Sequence, residues 1–239
     1  MRPPPASAPV QDGRAAAEIR GMQAAPTLPA APARAGAPQS RLERLKSAPV
    51  RRGQASFFFY DAHFRNDAVK VLPGEYFVHD EDILILTTLG SCIAACLWDR
   101  ERRVGGMNHF MLPDGSGADN GRYGSYAMEL LINEMMKRGA TRPTMEAKVF
   151  GGGAVVAGMS TMNVGERNTA FVLDYLRTER IAVVSKDVLD VHPRKVCFLP
   201  ASGKAMVKKL ASANSEALIA QERAAAARPA GAAGSIDLF

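Results

Sequence analysis

Cysteine and histidine are the pair of side chains best suited to act as nucleophile and base, and the chain holds three of the first and four of the second. A cysteine without help is mostly protonated near neutrality, so a reactive thiol needs a base or a positive charge beside it. Cys92 and His109 sit in two runs that read as neighbouring extended segments, Cys92 to Trp98 and Val104 to Leu112. The charged stretch Asp99-Arg100-Glu101-Arg102-Arg103 between them reads as a turn. An even-numbered hairpin loop can set Trp98 against Arg103, Cys96 against Gly105, Ala94 against Met107 and Cys92 against His109. Directly opposed residues bring their Cβ atoms within about 4.5–5.5 Å, close enough for thiol and imidazole to meet. An odd loop or a bulge shifts that register.

Other readings of the same residues stand beside this one. Cysteine is among the most buried residue types, and a lone cysteine or histidine in an apolar strand is usually packing; Cys96 and Cys197 are read that way. A zinc reading gathers Cys92, Cys96 and His109, but a Cys-x-x-x-Cys spacing in a strand without a second thiol pair fits zinc sites poorly. No metal or cofactor is expected. Gly151-Gly152-Gly153 lacks both the Lys-Ser/Thr of a phosphate loop and the spacing of a dinucleotide fingerprint. It reads as a close backbone approach, as a pocket wall, or as a source of N–H groups for an oxyanion. His192-Pro193-Arg194-Lys195 reads as a solvated basic turn or part of a substrate rim, and His63 and His79 have no partner pattern.

The elements that must position these residues are short. Phe57 to Tyr60 is a first strand or a core-plugging loop, Glu75 to Val78 a strand, and Ile83 to Thr88 a buried strand rich in β formers. Helical spacing takes over from Tyr126 to Arg138, with Ala127, Met128, Leu131, Ile132 and Met135 as the apolar stripe and Gly139 as the stop. Ala147 to Phe150 is a strand entering the glycine run. Asn168 to Arg180 fits a second helix and Ile181 to Val184 a strand. Lys195 to Leu199 and Lys204 to Leu210 close the fold as a hairpin around Ser202-Gly203. This pattern predicts an α+β fold: a single layered domain with mixed, largely antiparallel sheet structure flanked by two main helices.

Composition divides the chain. Residues 1–53 are dominated by Ala, Pro and Arg and read as a disordered leader, because they offer too little apolar surface to offset the entropy of ordering. Residues 54–212 form the predicted domain, and 213–239 an Ala-rich helix or flexible tail. The leader carries nine basic and three acidic residues, which is the whole formal net charge of +6. The domain and tail together are neutral, which argues against a nucleic-acid-binding domain. No run has the length of a membrane span or the apolar centre of a secretory signal. With an odd number of cysteines, this predicts reduced thiols and a cytoplasmic protein that does not insert into membrane.

Several blocks resemble the chemoreceptor glutamine deamidases of the CheD family: Leu89-Gly90-Ser91-Cys92, Ala94-Ala95-Cys96-Leu97-Trp98-Asp99, Gly105-Gly106-Met107-Asn108-His109 and Met111-Leu112-Pro113. The resemblance continues through Arg122-Tyr123-Gly124, Phe150-Gly151-Gly152-Gly153, Asn163-Val164-Gly165-Glu166-Arg167-Asn168 and Pro193-Arg194-Lys195-Val196, over roughly residues 70–210. It implies a protein-glutamine glutaminase with a fold like the deamidase toxins. Such an enzyme converts particular glutamines on the cytoplasmic helices of methyl-accepting chemotaxis receptors to glutamate through a cysteine acyl-enzyme. The resemblance assigns Cys92 as nucleophile, His109 as base and an upstream threonine as the third member. Thr87 has the family's spacing, whereas simple strand parity puts Thr88 on the Cys92 face unless Gly90 kinks the chain. One departure is Val188-Leu189-Asp190, where relatives often carry a Gly-Gly pair. A CheC-type phosphatase is a further implied partner, and the non-enzymatic alternative is an adaptor that binds receptors or that phosphatase. Ile236-Asp237-Leu238-Phe239 is a candidate docking tail.

Overall fold

The computed structural model describes residues 39–112, 118–155 and 164–211, with Ala220 and Ala224. Most of the expected leader, nearly all of the expected tail and the Ile236–Phe239 segment lie outside those residues. Among the described residues no helix is long and apolar enough to cross a membrane.

The chain builds two five-stranded mixed sheets and two main helices, as the α+β expectation required. One sheet runs in the order β3 (Tyr76–His79), β6 (Val104–Asn108), β5 (Ile93–Asp99), β7 (Met145–Gly151), β8 (Ala182–Val188). The other runs β1 (Phe57–Asp61), β2 (Asn66–Lys70), β4 (Leu84–Leu89), β9 (Arg194–Leu199), β10 (Lys204–Lys209). Among the described strand pairs, only β2–β4 and β7–β8 are parallel. Helices α2 (Ala118–Lys137) and α3 (Val164–Thr178) bury Met128, Leu131, Ile132, Val172 and Leu176 against one face of the first sheet. Its other face packs on the second sheet through Phe77, Ile85, Leu89, Met107, Phe150 and Phe198. β4 and β5, central in their sheets, are apolar on both faces, which is why their sequences read as continuous apolar runs.

Residues 39–53, within the expected leader, are among those described. A short helix α1 (Arg41–Ser47) precedes β1, opened by a capping box in which Ser40 and Glu43 satisfy each other's backbone N–H groups. Arg41 bonds Asp67 at 2.7 Å, and Arg51 reaches Glu134. Leu45 packs on the intersheet core, so a handful of anchors holds a segment whose bulk composition looks unstructured. Helix α2 also starts two turns earlier than its apolar stripe. Gly124 lies in that early stretch, and a Cβ on it would lie 2.4 Å from the Phe171 ring: the glycine lets α2 approach α3.

The β5–β6 turn is organised by Asp99, which is fully buried. Its Oδ1 accepts the N–H groups of Glu101 and Arg102 at 3.0 and 2.9 Å, and its Oδ2 accepts Thr141 N–H at 2.9 Å and the Thr144 hydroxyl at 2.5 Å. Burial pushes the carboxyl pKa up, but these donors outweigh it and hold the group below its ordinary value. A depressed folded pKa means the stabilisation is complete above the unfolded carboxylate pKa of about 4 and is lost as pH falls through the folded value. Asp99→Asn should therefore cost about 2 kcal/mol at neutral pH, narrowing toward pH 3, in chemical denaturation at both pH values. A gap independent of pH would refute the assignment.

Candidate active site

The chain changes sheets between Thr87 and Cys92. β4 belongs to the second sheet and β5 to the first, and Gly90-Ser91-Cys92 makes the crossing. Strand parity between Thr88 and Cys92 therefore does not apply. Thr87 points into the intersheet core and is 1% exposed, while Thr88 is half-buried on the other face.

Thr87 Oγ1 lies 2.8 Å from His109 Nδ1 and donates to the Val71 carbonyl at 2.7 Å. A hydroxyl has one proton, and here it goes to Val71. Donation from Nδ1–H to Oγ1 is the direction consistent with that bond. In the tautomer with the proton on Nδ1, Nε2 is the basic nitrogen, and Thr87 orients the ring. The His109 backbone is fixed as well, its N–H donating to the Glu75 carbonyl at 2.9 Å and its carbonyl accepting Gly74 N–H at 2.7 Å.

The hairpin register differs from the expected one by two residues. The pairs are Asp99–Val104, Trp98–Gly105 and Cys96–Met107, and the bridge between Ile93 and Phe110 continues the same register. Asp99 is kept at the end of β5 by its four donors, so the four-residue loop begins at Arg100, and Arg103 turns back with a left-handed φ of 54°. A shift of two preserves the face. By extension His109 stands opposite Ala94, while Cys92 lies just before β5 next to the Ile93–Phe110 bridge, so Cys92 and His109 are not directly opposed. Between Cys96–Met107 and Ile93–Phe110 the ladder is interrupted, because Ala95 N–H donates to the Asn108 side chain at 3.0 Å. Asn108, itself buried, passes its Nδ2 proton on to the Ala127 carbonyl in α2 at 3.1 Å. Cys92 is fully buried and His109 is 2% exposed, so thiol and imidazole sit apart from bulk water.

The glycine run acts as a clamp on this loop. Gly152 N–H donates to the Cys92 carbonyl and Gly153 N–H to the Gly90 carbonyl, each at 2.8 Å. A Cβ on Gly151 would fall 2.1 Å from the Cys92 carbonyl oxygen, and one on Gly152 2.2 Å from Thr169 Oγ1. Both have positive φ. Of the three readings of this run, close backbone approach is the one the geometry carries; the Gly152 and Gly153 N–H groups are already spent on the Gly90–Cys92 loop. The expected solvated basic turn is also different. Arg194 is fully buried, bonded to Asp187 at 2.9 Å and to the carbonyls of Leu189 and His192. It braces the loop in which Leu189 and Asp190 take φ of 65° and 73°, a left-handed conformation that favours glycine.

The remaining candidates lie apart from this arrangement. Cys96 and Cys197 are buried, burial pushes both thiol pKa values up, and none of the three cysteines is in a disulfide. Among the described residues no cluster of three His, Cys, Asp or Glu side chains is gathered as for a metal ion. Sequence reasoning gave no role to Asn108 or to Asn168. The second is fully buried in α3, donating to the Ser91 carbonyl at 2.8 Å and accepting Leu112 N–H at 2.9 Å.

A family profile described as CheD chemotactic sensory transduction matches residues 111–209. A protein of Albidiferax ferrireducens named probable chemoreceptor glutamine deamidase CheD 1 is 60% identical over 233 residues, covering 95% of this chain and 97% of its own. Proteins named probable chemoreceptor glutamine deamidase CheD from Herminiimonas arsenicoxydans and Thiobacillus denitrificans are 53% and 52% identical, each over 77% of this chain, and over 95% and 96% of their own. Among solved structures, the Bacillus licheniformis hypothetical protein YfiH aligns with a TM-score of 0.32 at 10% identity over 48% of this chain and 49% of its own, too little for any argument.

Proposed function

Because the chain belongs to the CheD family, as its relatives' identity and coverage establish, we propose that it deamidates glutamine side chains of chemotaxis receptors, with Cys92, His109 and Thr87 as its catalytic group. The observation that supports this reading is the 2.8 Å contact between Thr87 Oγ1 and His109 Nδ1, which engages one ring nitrogen and makes Nε2 the one we assign to the thiol.

In the proposed reaction Nε2 takes the thiol proton as Sγ attacks the glutamine amide carbon. The tetrahedral intermediate collapses with breakage of the C–N bond, and His109 returns the proton to the departing ammonia. A water then attacks the thioester carbon, losing its proton to His109, and the glutamate leaves as Sγ recovers a proton. The family resemblance supports a CheC-type phosphatase as a second partner. A cytoplasmic location follows from the proposed substrate, the cytoplasmic helices of the receptors.

The test is incubation of the protein with receptor cytoplasmic fragments and peptide mass spectrometry of glutamine-to-glutamate conversion. No conversion by the wild-type protein would overturn the proposal. The two threonines separate in the same assay. Thr87→Val should lower kcat about 10–100-fold, as loss of an orienting partner does, while Thr88→Val stays near the wild-type rate. Equal effects at both positions would remove Thr87 from its role.

A further inference from the structure

We infer that Asn168 is a positioning residue for this reaction: its carboxamide is a strut that sets the nucleophile loop against the segment carrying the base. The inference rests on Cys92 and His109 acting as proposed above.

The regular β5–β6 ladder ends at the Cys96–Met107 pair. The reacting side chains lie beyond it, where the two segments are joined by the Ile93–Phe110 bridge, with mutual N–H···O bonds of 2.9 Å. Past that bridge the segments leave each other. Ser91-Cys92 turns toward the second sheet, and Met111-Leu112 runs toward α3. Asn168 reaches into this fork with both ends of one planar amide, Nδ2–H to the Ser91 carbonyl and Oδ1 to Leu112 N–H. Ser91 immediately precedes the thiol, and Leu112 follows His109 by three residues. The amide is rigid and fully buried, so both bonds form out of water, where their loss costs most.

Asn168 is itself anchored. Two residues form the floor beneath it: Gly165 in the first turn of α3, against which Gly152 packs, and Thr169, whose hydroxyl donates to the Gly165 carbonyl at 2.7 Å. Gly152 is the residue whose N–H holds the Cys92 carbonyl. The thiol loop is therefore fixed from two sides by the same helix end: through Gly152 after the cysteine and through Asn168 before it. A side chain that only filled space would need neither the donor nor the acceptor.

Misplacing a reacting atom by about 1 Å costs up to about 10²-fold in rate. Asn168→Ala should thus lower kcat about 10–100-fold with KM within about threefold, because the receptor helix never touches a fully buried amide. Asn168→Asp is nearly isosteric and sharper. It keeps the acceptor for Leu112 but sets a carboxylate against the Ser91 carbonyl, and protonation restores a donor. Its activity relative to wild type should rise as pH falls from 8 toward 5, a trend that a packing defect would not produce. Wild-type kcat in both variants, or an Asp/wild-type ratio flat with pH, overturns the inference. If the alanine variant does not fold, the aspartate ratio decides alone. Full activity of Cys92→Ala is a separate result that sinks the catalytic reading itself.

Discussion

Cys92→Ala should abolish conversion of receptor glutamine to glutamate, a loss of about 10⁴-fold or more, with the protein still folded. No other side chain can replace the acyl-forming atom: Cys96 is sealed in the intersheet core and Cys197 faces out from the second sheet among Leu84 and Leu86. Deleting the nucleophile of a hydrolase leaves only the acceleration provided by binding and by polar groups around the amide. The structural cost is small by comparison, since one buried sulfur is exchanged for a methyl group in a packed site. The measurement is initial glutamate formation by mass spectrometry, with melting temperature as the control. Activity within tenfold of wild type would leave Cys92 as a core residue and the protein as a receptor-binding adaptor.

His109→Asn isolates the proton transfer. An asparagine Nδ2 can take the place of imidazole Nδ1 and keep a hydrogen bond to Thr87 Oγ1, but it offers no basic nitrogen to take the thiol proton. General acid–base catalysis typically supplies about 10²–10⁴-fold, and because the proposed reaction uses His109 in both half-reactions the loss should fall near the upper end. Binding of receptor fragments should be unchanged. A loss below about tenfold would mean that the thiol is activated by another group and that the Thr87–His109 contact only holds the two sheets together.

Much of this arrangement was readable from residue types, and the failures have specific causes. Apolar runs such as Ile83-Leu84-Ile85-Leu86 announce central strands because burial on both faces leaves no polar alternation. β2 carries Asn66, Asp67 and Lys70 and gives no such signal; it is a strand because β1 and β4 pair with it. The hairpin parity was right and its register was not, since the competing position depends on Asp99 finding donors in the distant Thr141–Thr144 segment. The choice between Thr87 and Thr88 could not follow from alternation along one strand when the chain leaves one sheet for the other at Gly90. Asn108 and Asn168 look like ordinary polar residues until tertiary structure supplies the groups at both ends of each amide.

The crossing at Gly90 has a further consequence for how the protein becomes competent. Thr87 belongs to one sheet and His109 to the strand system of the other, so neither sheet alone contains an oriented base. The hydrogen bond between them exists only when the two layers have docked and expelled water from the Phe77–Phe198 core. Secondary structure can form in each layer beforehand, through contacts close in sequence such as β1–β2 and β9–β10. During refolding, recovery of enzymatic turnover should therefore coincide with closure of the sandwich and lag behind the circular-dichroism signal of the strands. A partly opened conformer, still rich in β structure, would be chemically silent, so the chain does not expose a working thiol before it is fully assembled.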